Sequence, residues 1–180
     1  MNPPQPAFQF EQNITTAVIW LGSNKEWFLS KKGEPSIFDT GNAKHEKSGS
    51  LLKNLDKNAF GDILFVVVRE SLNKEKSKKL LGLLSQFSLK KVYLASPFDD
   101  TLSALEGLEP RFWYAASPRS WVKWSLFETF GIEKAFTLDS DFVFVDKETS
   151  KLMSPRLTKE IQRRRLPMIT VKKNGSLKFN

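Results

Sequence analysis

The chain has 180 residues, of which 40% are hydrophobic and 12% aromatic, and its net charge is +8. This length and composition predict one domain with one good core, residues 1–180, and the lack of cysteine excludes disulfides, thiolate nucleophiles and cysteine metal sites. No apolar run approaches the roughly 20 residues of a membrane-spanning helix, and no secretory signal pattern opens the sequence. We therefore expect a cytoplasmic protein without a transmembrane segment.

The excess positive charge lies at the carboxyl end. Residues 151–180 contain nine basic residues and one acidic residue, whereas residues 1–150 contain nineteen of each. This basic segment, which includes Arg163, Arg164 and Arg165, has the charge to meet an anionic partner such as phosphate or nucleic acid. The alternative is a solvated helix end, which fits better than nucleic acid because no aromatic residue interleaves with the arginines.

The first third of the chain predicts short strands joined by turns. A proline-rich lead over residues 1–12 comes before strands at residues 16–21, 27–29 and 36–38, a loop at 39–50 and a short helix at 51–60. The loop contains the only histidine, His45, which we interpret as a surface residue rather than a catalytic one.

The middle of the chain predicts a βαβ unit. Residues 63–68 are an unbroken apolar run, which is typical of a strand buried on both faces. Residues 73–87 place leucines and Phe87 at helical spacing, with lysines on the other side, and residues 90–95 give a second strand. Two strands joined by a helix pair in parallel, and functional groups then lie at the carboxyl ends of the strands.

The last part of the chain repeats shorter units of the same kind. We predict a small helix that is capped by Asp99 or Asp100, carries Leu102 and Leu105 and ends at Gly107. After it we predict a strand at 112–115, a helix capped by Ser120, strands at 135–138 and 142–145, a helix at 158–165, a strand at 166–171 and a tail at 175–180. In the helix after Ser120, four aromatic residues are expected to share one face: Trp121, Trp124, Phe127 and Phe130. The whole chain thus predicts an α/β fold with about seven mostly parallel strands.

Four segments in this order are similar to the glycerophosphodiester phosphodiesterase family: KKGEPSIFD (31–39), ILFVVVRE (63–70), KKVYLASPFDDTLSALEGLEP (90–110) and LTKEIQRRRLPMITVKKN (157–174). Residues 30–33 resemble the TKDG turn of that family, residues 95–98 its SSF segment, and the closing helix and strand its LT…RGLP…WTVN pattern. The resemblance implies a TIM-type (β/α) barrel and, for the family, phosphoric diester hydrolysis in lipid metabolism.

The catalytic positions of that family are mostly changed here. There is no His-Arg-Gly segment, and no histidine lies near residues 38–40, where the second one would fall. Of the metal-binding Glu-x-Asp pair only Glu26 keeps a carboxylate, the later glutamate falls on Val67, and Arg69 stands where the family has lysine. The resemblance therefore implies a catalytically inactive pseudoenzyme, because phosphodiester cleavage needs a proton-transfer group and several oxygen ligands for a cation.

Two functions follow from this pattern. The first is a non-catalytic binding or scaffold domain for a phosphorylated or lipid-derived ligand, with no metal or cofactor; Arg69, Arg111 and Arg119, expected near the carboxyl ends of strands, are its candidate anion contacts. The second is an active enzyme with relocated groups, in which Glu26, Asp39 and Asp141 are catalytic and Glu26 and Asp141 hold Mg²⁺ or Ca²⁺. The acidic pairs at residues 139 and 141 and at residues 99 and 100 fit caps and turns better than ligands.

Length adds one further expectation. A complete (β/α)₈ barrel usually takes about 250 residues. A chain of 180 residues predicts an abbreviated or incomplete barrel, whose open edge would be covered by the proline-rich lead or by a second copy in a homodimer.

Overall fold

The computed structural model describes residues 14–31, 36–37, 49–105, 111–138, 140–172 and 176–180. Within these ranges the chain forms nine strands and five α-helices, which in order are β1 (Ile14–Leu21), β2 (Trp27–Ser30), β3 (Ser50–Leu51), β4 (Ile63–Val68), α1 (Lys74–Leu84), β5 (Lys91–Ala95), α2 (Asp99–Leu105), β6 (Phe112–Tyr114), α3 (Pro118–Thr129), β7 (Val143–Val145), α4 (Lys147–Leu152), α5 (Pro155–Arg163), β8 (Met168–Val171) and β9 (Leu177–Phe179). None of these described helices has the length and the apolar character needed to cross a bilayer.

The described strands form two sheets. The first has six strands in the order β3-β2-β1-β4-β5-β6, and the second has three in the order β7-β8-β9. Strands β1, β4, β5 and β6 are parallel, as are β7 and β8, while β2, β3 and β9 join by antiparallel pairing. A parallel bridge between Ala115 and Phe142 links the sheets, so six strands point the same way. The predicted α/β fold with mostly parallel strands is confirmed, whereas the strands described here do not close into a barrel.

Strand β4 is the centre of the larger sheet and is buried on both faces, as its apolar run predicts. Leu64, Val66 and Val68 pack on one face with α1 and α2. Phe65 and Val67 pack on the other face, which we call the inner face, with residues of β7, β8, α3 and α5. Because successive side chains of a strand alternate, one short run supplies both halves of the core.

The smaller sheet packs over the inner face of the larger one through aromatic rings. Phe65 of β4 lies 4.7 Å from Phe144 of β7, measured between ring centroids. Tyr93 of β5 lies 5.3 Å from Phe142 and 5.5 Å from Phe179 of β9. Such tilted and edge-on pairs add to the burial of the rings, so the two sheets share one core.

Two of the predicted helices are confirmed with small changes in their ends. In α1, Leu80 and Leu84 are buried, and the side chain of Asn73 accepts a hydrogen bond from the backbone N–H of Lys76. Helix α3 begins earlier than predicted, because Ser117 rather than Ser120 caps it and Pro118 occupies its first turn.

Other predictions from local pattern are wrong. Residues 51–60 contain a strand end and a 3₁₀ turn (Leu52–Asn54) instead of a helix, and residues 135–138 contain the end of a 3₁₀ turn (Glu133–Ala135) instead of a strand. Neither Ser36 nor Ile37 is in a strand. The tail prediction is also wrong where it is described, since Leu177–Phe179 form β9. Helix α4 was not predicted.

The free edges of the two sheets are short strands. β3 has two residues and β9 has three. Short edge strands leave few unpaired backbone groups for another chain to bind. The proline-rich lead, predicted as a cap for such an edge, lies outside the described residues.

Candidate functional site

Polar groups follow the carboxyl ends of the parallel strands. Arg69 comes directly after β4, Ser96 after β5 and Asp146 after β7. In parallel sheets this edge is where loops and helix amino ends converge, and it is the usual place for a binding site. The candidate site is therefore expected at this edge.

A cleft of about 240 Å³ opens at the carboxyl end of β1. It is lined by Trp20, Phe28 and the turn residues Gly22, Ser23 and Asn24. The Trp20 and Phe28 rings stack, with centroids 6.0 Å apart and planes inclined by 16°. The cleft thus offers an aromatic floor with a hydroxyl, an amide and backbone groups at its rim.

Gly22 allows this arrangement because it has no side chain. A Cβ at this position would lie 2.5 Å from Cε2 of Phe28, closer than carbon atoms pack. The turn is closed by the N–H of Gly22, which donates to the carbonyl of Glu26 at 2.9 Å, and Lys25 adopts a φ of 60°. The tight turn and the stacked ring therefore depend on the same glycine.

Arg69 is a buried cation that follows β4, the strand next to β1, and it is not among the residues that line the cleft. Its side chain is 2% exposed, and its backbone N–H donates to the carbonyl of Ile19 at 2.8 Å. The register pairs Val68 with Ile19, so the next residues along, Arg69 and Trp20, are neighbours across β4 and β1. Alternation along the two strands places both on the inner face. Arginine's planar fork suits a phosphate or carboxylate group.

The loops after β4 and β5 are tied together by hydroxyl groups. Ser96 donates to the carbonyl of Val68 at 2.9 Å, and Thr101 donates to the carbonyl of Glu70 while accepting from the N–H of Leu72 at 3.1 Å. Asp100 accepts a hydrogen bond from Ser71. This bond ties Asp100, in the first turn of α2, to the loop after β4.

Asp146 is the most heavily bonded carboxylate in the described structure, and sequence reasoning missed it. One oxygen accepts from Ser36 Oγ at 2.8 Å and from the N–H of Ile37 at 3.0 Å. The other accepts from the N–H groups of Glu148 and Thr149 at 3.0 and 2.8 Å and from the Thr149 hydroxyl at 2.9 Å. Thr149 in turn accepts from the Asp146 N–H at 2.7 Å, which completes a capping box. The Asp-x-x-Thr spacing after an apolar run was the available signal.

The two described carboxylates predicted for a cation site, Glu26 and Asp141, have different bonding partners. Glu26 lies in the turn after β1, where it forms an exposed ion pair of 2.8 Å with Lys53. Asp141 precedes β7 and accepts a hydrogen bond of 2.9 Å from the N–H of Tyr114, the last residue of β6. Asp39, Asp139 and His45 lie outside the described residues. Within the described ranges, no three histidine, aspartate or glutamate residues are grouped to hold a metal ion.

The other two arginines predicted as anion contacts lie apart from the cleft. Arg111 was expected near a strand's carboxyl end, but it precedes β6, and its guanidinium donates to the carbonyl of Leu89 at 3.2 Å. Arg119 does follow the carboxyl end of β6, in the first turn of α3, where it is exposed. Of the three arginines, Arg69 is the one that is buried.

A buried carboxylate organises the basic carboxyl end. Glu160 is 4% exposed and accepts hydrogen bonds from Arg163 at 2.7 and 2.6 Å and from Arg164 at 2.7 Å. The bond from Arg163 is the main cause that lowers the pKa of Glu160 to about 2, against the effect of burial. Arg164 also lies 5.3 Å from the ring centroid of Trp124. Arg163 and Arg164 thus both pair with Glu160 at the end of their own helix, and Arg164 also contacts α3, which favours the helix-end interpretation.

Comparison of the chain with protein-family models, with curated proteins and with solved structures gives no match. The resemblance to the phosphodiesterase family therefore rests on the four quoted segments and their order. The site geometry has to carry any functional conclusion by itself.

Proposed function

We propose that this chain is a shortened, degenerate relative of the glycerophosphodiester phosphodiesterases that binds a small phosphorylated ligand without hydrolysing it. In this proposal the fold is an opened version of a (β/α) barrel, and the protein acts in the cytoplasm as a binding or scaffold domain. The observation that carries it is the buried Arg69, in register with Trp20 at the mouth of the cleft.

The chemistry of the cleft suits a ligand with an anionic group and a short polar or apolar body. The Arg69 guanidinium supplies positive charge where burial weakens competition from water. Ser23 and Asn24 offer hydrogen-bonding groups at the rim, and the stacked Trp20 and Phe28 rings offer apolar contact. Glycerol phosphate and related headgroups combine these features.

The alternative, an active metal-dependent phosphodiesterase, has less support in the geometry. Glu26 is paired with Lys53 in the turn after β1, whereas Asp141 is bound to the backbone of β6 before β7 begins. A cation bridging both would have to break the contacts of each. Turnover of bis(p-nitrophenyl) phosphate with Mg²⁺, Ca²⁺ or Mn²⁺ that is abolished by Glu26→Ala would contradict the non-catalytic proposal.

Thermal shift with glycerol 3-phosphate, inositol phosphates and cyclic dinucleotides tests the binding proposal. We expect one of them to raise Tm by about 5 °C at about a hundred times its Kd. Ser23→Phe, which fills the cleft from an exposed position, should abolish the shift while leaving the unliganded Tm unchanged. Arg69→Gln should abolish it as well, and Arg69→Lys should reduce it.

Arg111→Gln is the matched control, since it removes an arginine at the amino end of a strand rather than one that follows a carboxyl end. The proposal fails if none of the three ligand classes stabilises the protein, or if Ser23→Phe binds as well as the wild type. Homodimer formation remains a prediction, and light scattering of the unliganded protein measures it directly.

A further inference from the structure

The large apolar side chains that are exposed among the described residues are concentrated on one short stretch. Among the described residues, the large hydrophobic side chains that are exposed are Val122 at 47%, Leu126 at 54%, Phe130 at 75% and Ile132 at 50%. Scattered exposed apolar residues are ordinary, but a contiguous group marks a surface that binds something. We call these four residues, together with Arg119 and Lys123, the α3 patch.

Helical spacing places the cations of the patch among its apolar residues. Val122, Leu126 and Phe130 follow one another at intervals of four residues, so they lie along one stripe of α3 and its end. Arg119 and Lys123 are exposed and lie three residues before Val122 and Leu126 respectively, on the same side of the helix. The core-facing side of the same helix holds Trp121 and Trp124, which are fully buried.

Further positive charge surrounds the end of the patch. Arg156, at the start of α5, has its Nη2 atom 3.8 Å from where a Cβ on Gly131 would lie, so its guanidinium is close to the end of α3. Lys134 is exposed two residues after Ile132. Within α3 the single acidic residue is Glu128, and its carboxylate accepts a hydrogen bond from Ser154. The surface is therefore apolar and cationic at once.

We propose that the α3 patch docks this protein on an anionic lipid surface. The protruding apolar side chains enter the boundary between headgroups and acyl chains, while Arg119, Lys123 and their cationic neighbours contact lipid phosphates and carboxylates. This surface includes neither Arg69 nor the residues that line the cleft, so the inference does not depend on the proposed ligand.

The charge and the shape of the α3 patch favour a bilayer over a second copy of the chain or a peptide helix. In a two-fold dimer the same patch meets itself, which would bring Arg119 and Lys123 of both copies together, and like charges at an interface are costly. A peptide helix is bound by a groove that encloses its apolar face. Phe130, at 75% exposed, protrudes instead of lining a groove. A lipid surface needs only protruding apolar groups among cations.

Co-sedimentation with vesicles tests the proposal. We expect the protein to pellet with vesicles of phosphatidylcholine mixed with phosphatidylserine and not with phosphatidylcholine alone, and to be released as salt is raised. Each cation near an anionic surface contributes about a fivefold factor in partitioning, so Arg119→Gln with Lys123→Gln should weaken binding about 25-fold. Leu126→Ser with Phe130→Ser should abolish it.

Lys74→Gln with Lys78→Gln is the matched control, because it removes two exposed cations at the same spacing from α1. This control should keep most of the binding. All substituted positions are exposed, and circular dichroism checks that each variant is folded.

Three results would overturn the proposal. One is failure of the wild type to pellet with phosphatidylserine vesicles, or equal binding by the patch variants. Another is a dimer in light scattering that Leu126→Ser with Phe130→Ser converts to monomer, which assigns the face to a second copy. The third is binding of an acidic amphipathic peptide of glutamate and leucine in the absence of any vesicle binding.

Discussion

Glu160 carries the strongest electrostatic constraint among the described residues. It is buried and bonded to two arginines, and its pKa is lowered from 4.5 to about 2, chiefly by Arg163. A carboxyl group whose pKa is lower in the folded state stabilises the fold at pH values above its unfolded pKa. That stabilisation is lost as the pH falls from about 4.5 towards about 2.

Glu160→Gln should lower the free energy of unfolding at pH 7 by on the order of 2 kcal/mol. This value allows for solvent screening of Arg163, whose side chain is 57% exposed. The variant should also lose less stability than the wild type between pH 5 and pH 2, since it has no carboxylate to protonate there. Urea unfolding at several pH values measures both effects. Glu75→Gln is the control, because Glu75 pairs with Lys79 in an exposed position, and a larger loss there would contradict the argument.

Replacement of Gly22 and of Gly82 by alanine should have opposite effects on the stability of the protein. At Gly22 the new methyl group would push the Phe28 ring away from Trp20. This change should lower the free energy of unfolding by about 1 kcal/mol and alter the near-ultraviolet circular dichroism. At Gly82, in α1, nothing lies within 4 Å of the added atom, so alanine should stabilise the protein by about 0.5–1 kcal/mol. Thermal and urea unfolding compare the two, and stabilisation by Gly22→Ala would show that the stacked ring does not depend on this glycine.

Among the secondary-structure elements, helix α4 is stabilised by its N-cap residue, Asp146. Helices this short have little stability of their own, so their ends and their packing decide whether they form. Asp146 accepts five hydrogen bonds, and those from Ser36 and Ile37 attach a distant segment to the end of β7. The same carboxylate therefore begins a helix and closes a long-range contact.

Asp146→Ala should destabilise the protein by about 3 kcal/mol, because it removes the cap and leaves the buried N–H groups of Ile37 and Thr149 without acceptors. Asn73→Ala, which removes an exposed cap from α1, should cost only about 1 kcal/mol. Urea unfolding of the two variants makes the comparison. Equal losses would show that the contact with residues 36 and 37 contributes nothing.

Helix α3 shows where local pattern stops being informative. Spacing alone predicts that Trp121, Trp124, Phe127 and Phe130 share a face, yet Trp121 and Trp124 are buried and Phe130 is 75% exposed. Each step of three residues falls about 60° short of a full helical turn, so Phe130, three such steps after Trp121, lies on the opposite side of the helix. To predict the start at Ser117, Pro118 would have had to be assigned to the first turn of the helix.

At the scale of the whole molecule, the two sheets share the core on the inner face. Phe144 and Phe142 from the smaller sheet contact Phe65 and Tyr93 from the larger one. A shared core predicts that both sheets unfold in one transition.

Phe144→Ala should therefore lower the free energy of unfolding by about 3–5 kcal/mol. It should also lower the hydrogen-exchange protection of β4 as much as that of β8. The cause is the loss of its contact with Phe65 across the two sheets. Val122→Ala, on the exposed side of α3, should leave the stability and the hydrogen-exchange protection of both strands unchanged. Peptide-level hydrogen exchange measures this, and loss of protection confined to β7–β9 would mean that the sheets are independent.

The sequence was sufficient to predict the βαβ unit around β4, because the run at 63–68 and the leucine spacing of α1 are strong local signals. It also determined the general class of the fold and the excess of charge at the carboxyl end. Local sequence could not predict that the backbone of Arg69 bonds to Ile19, that Glu26 and Asp141 have different partners, or that an apolar stripe of α3 faces outward. These relations depend on strand register and on the packing of one sheet over another, which join residues far apart in the chain, and local composition does not encode them.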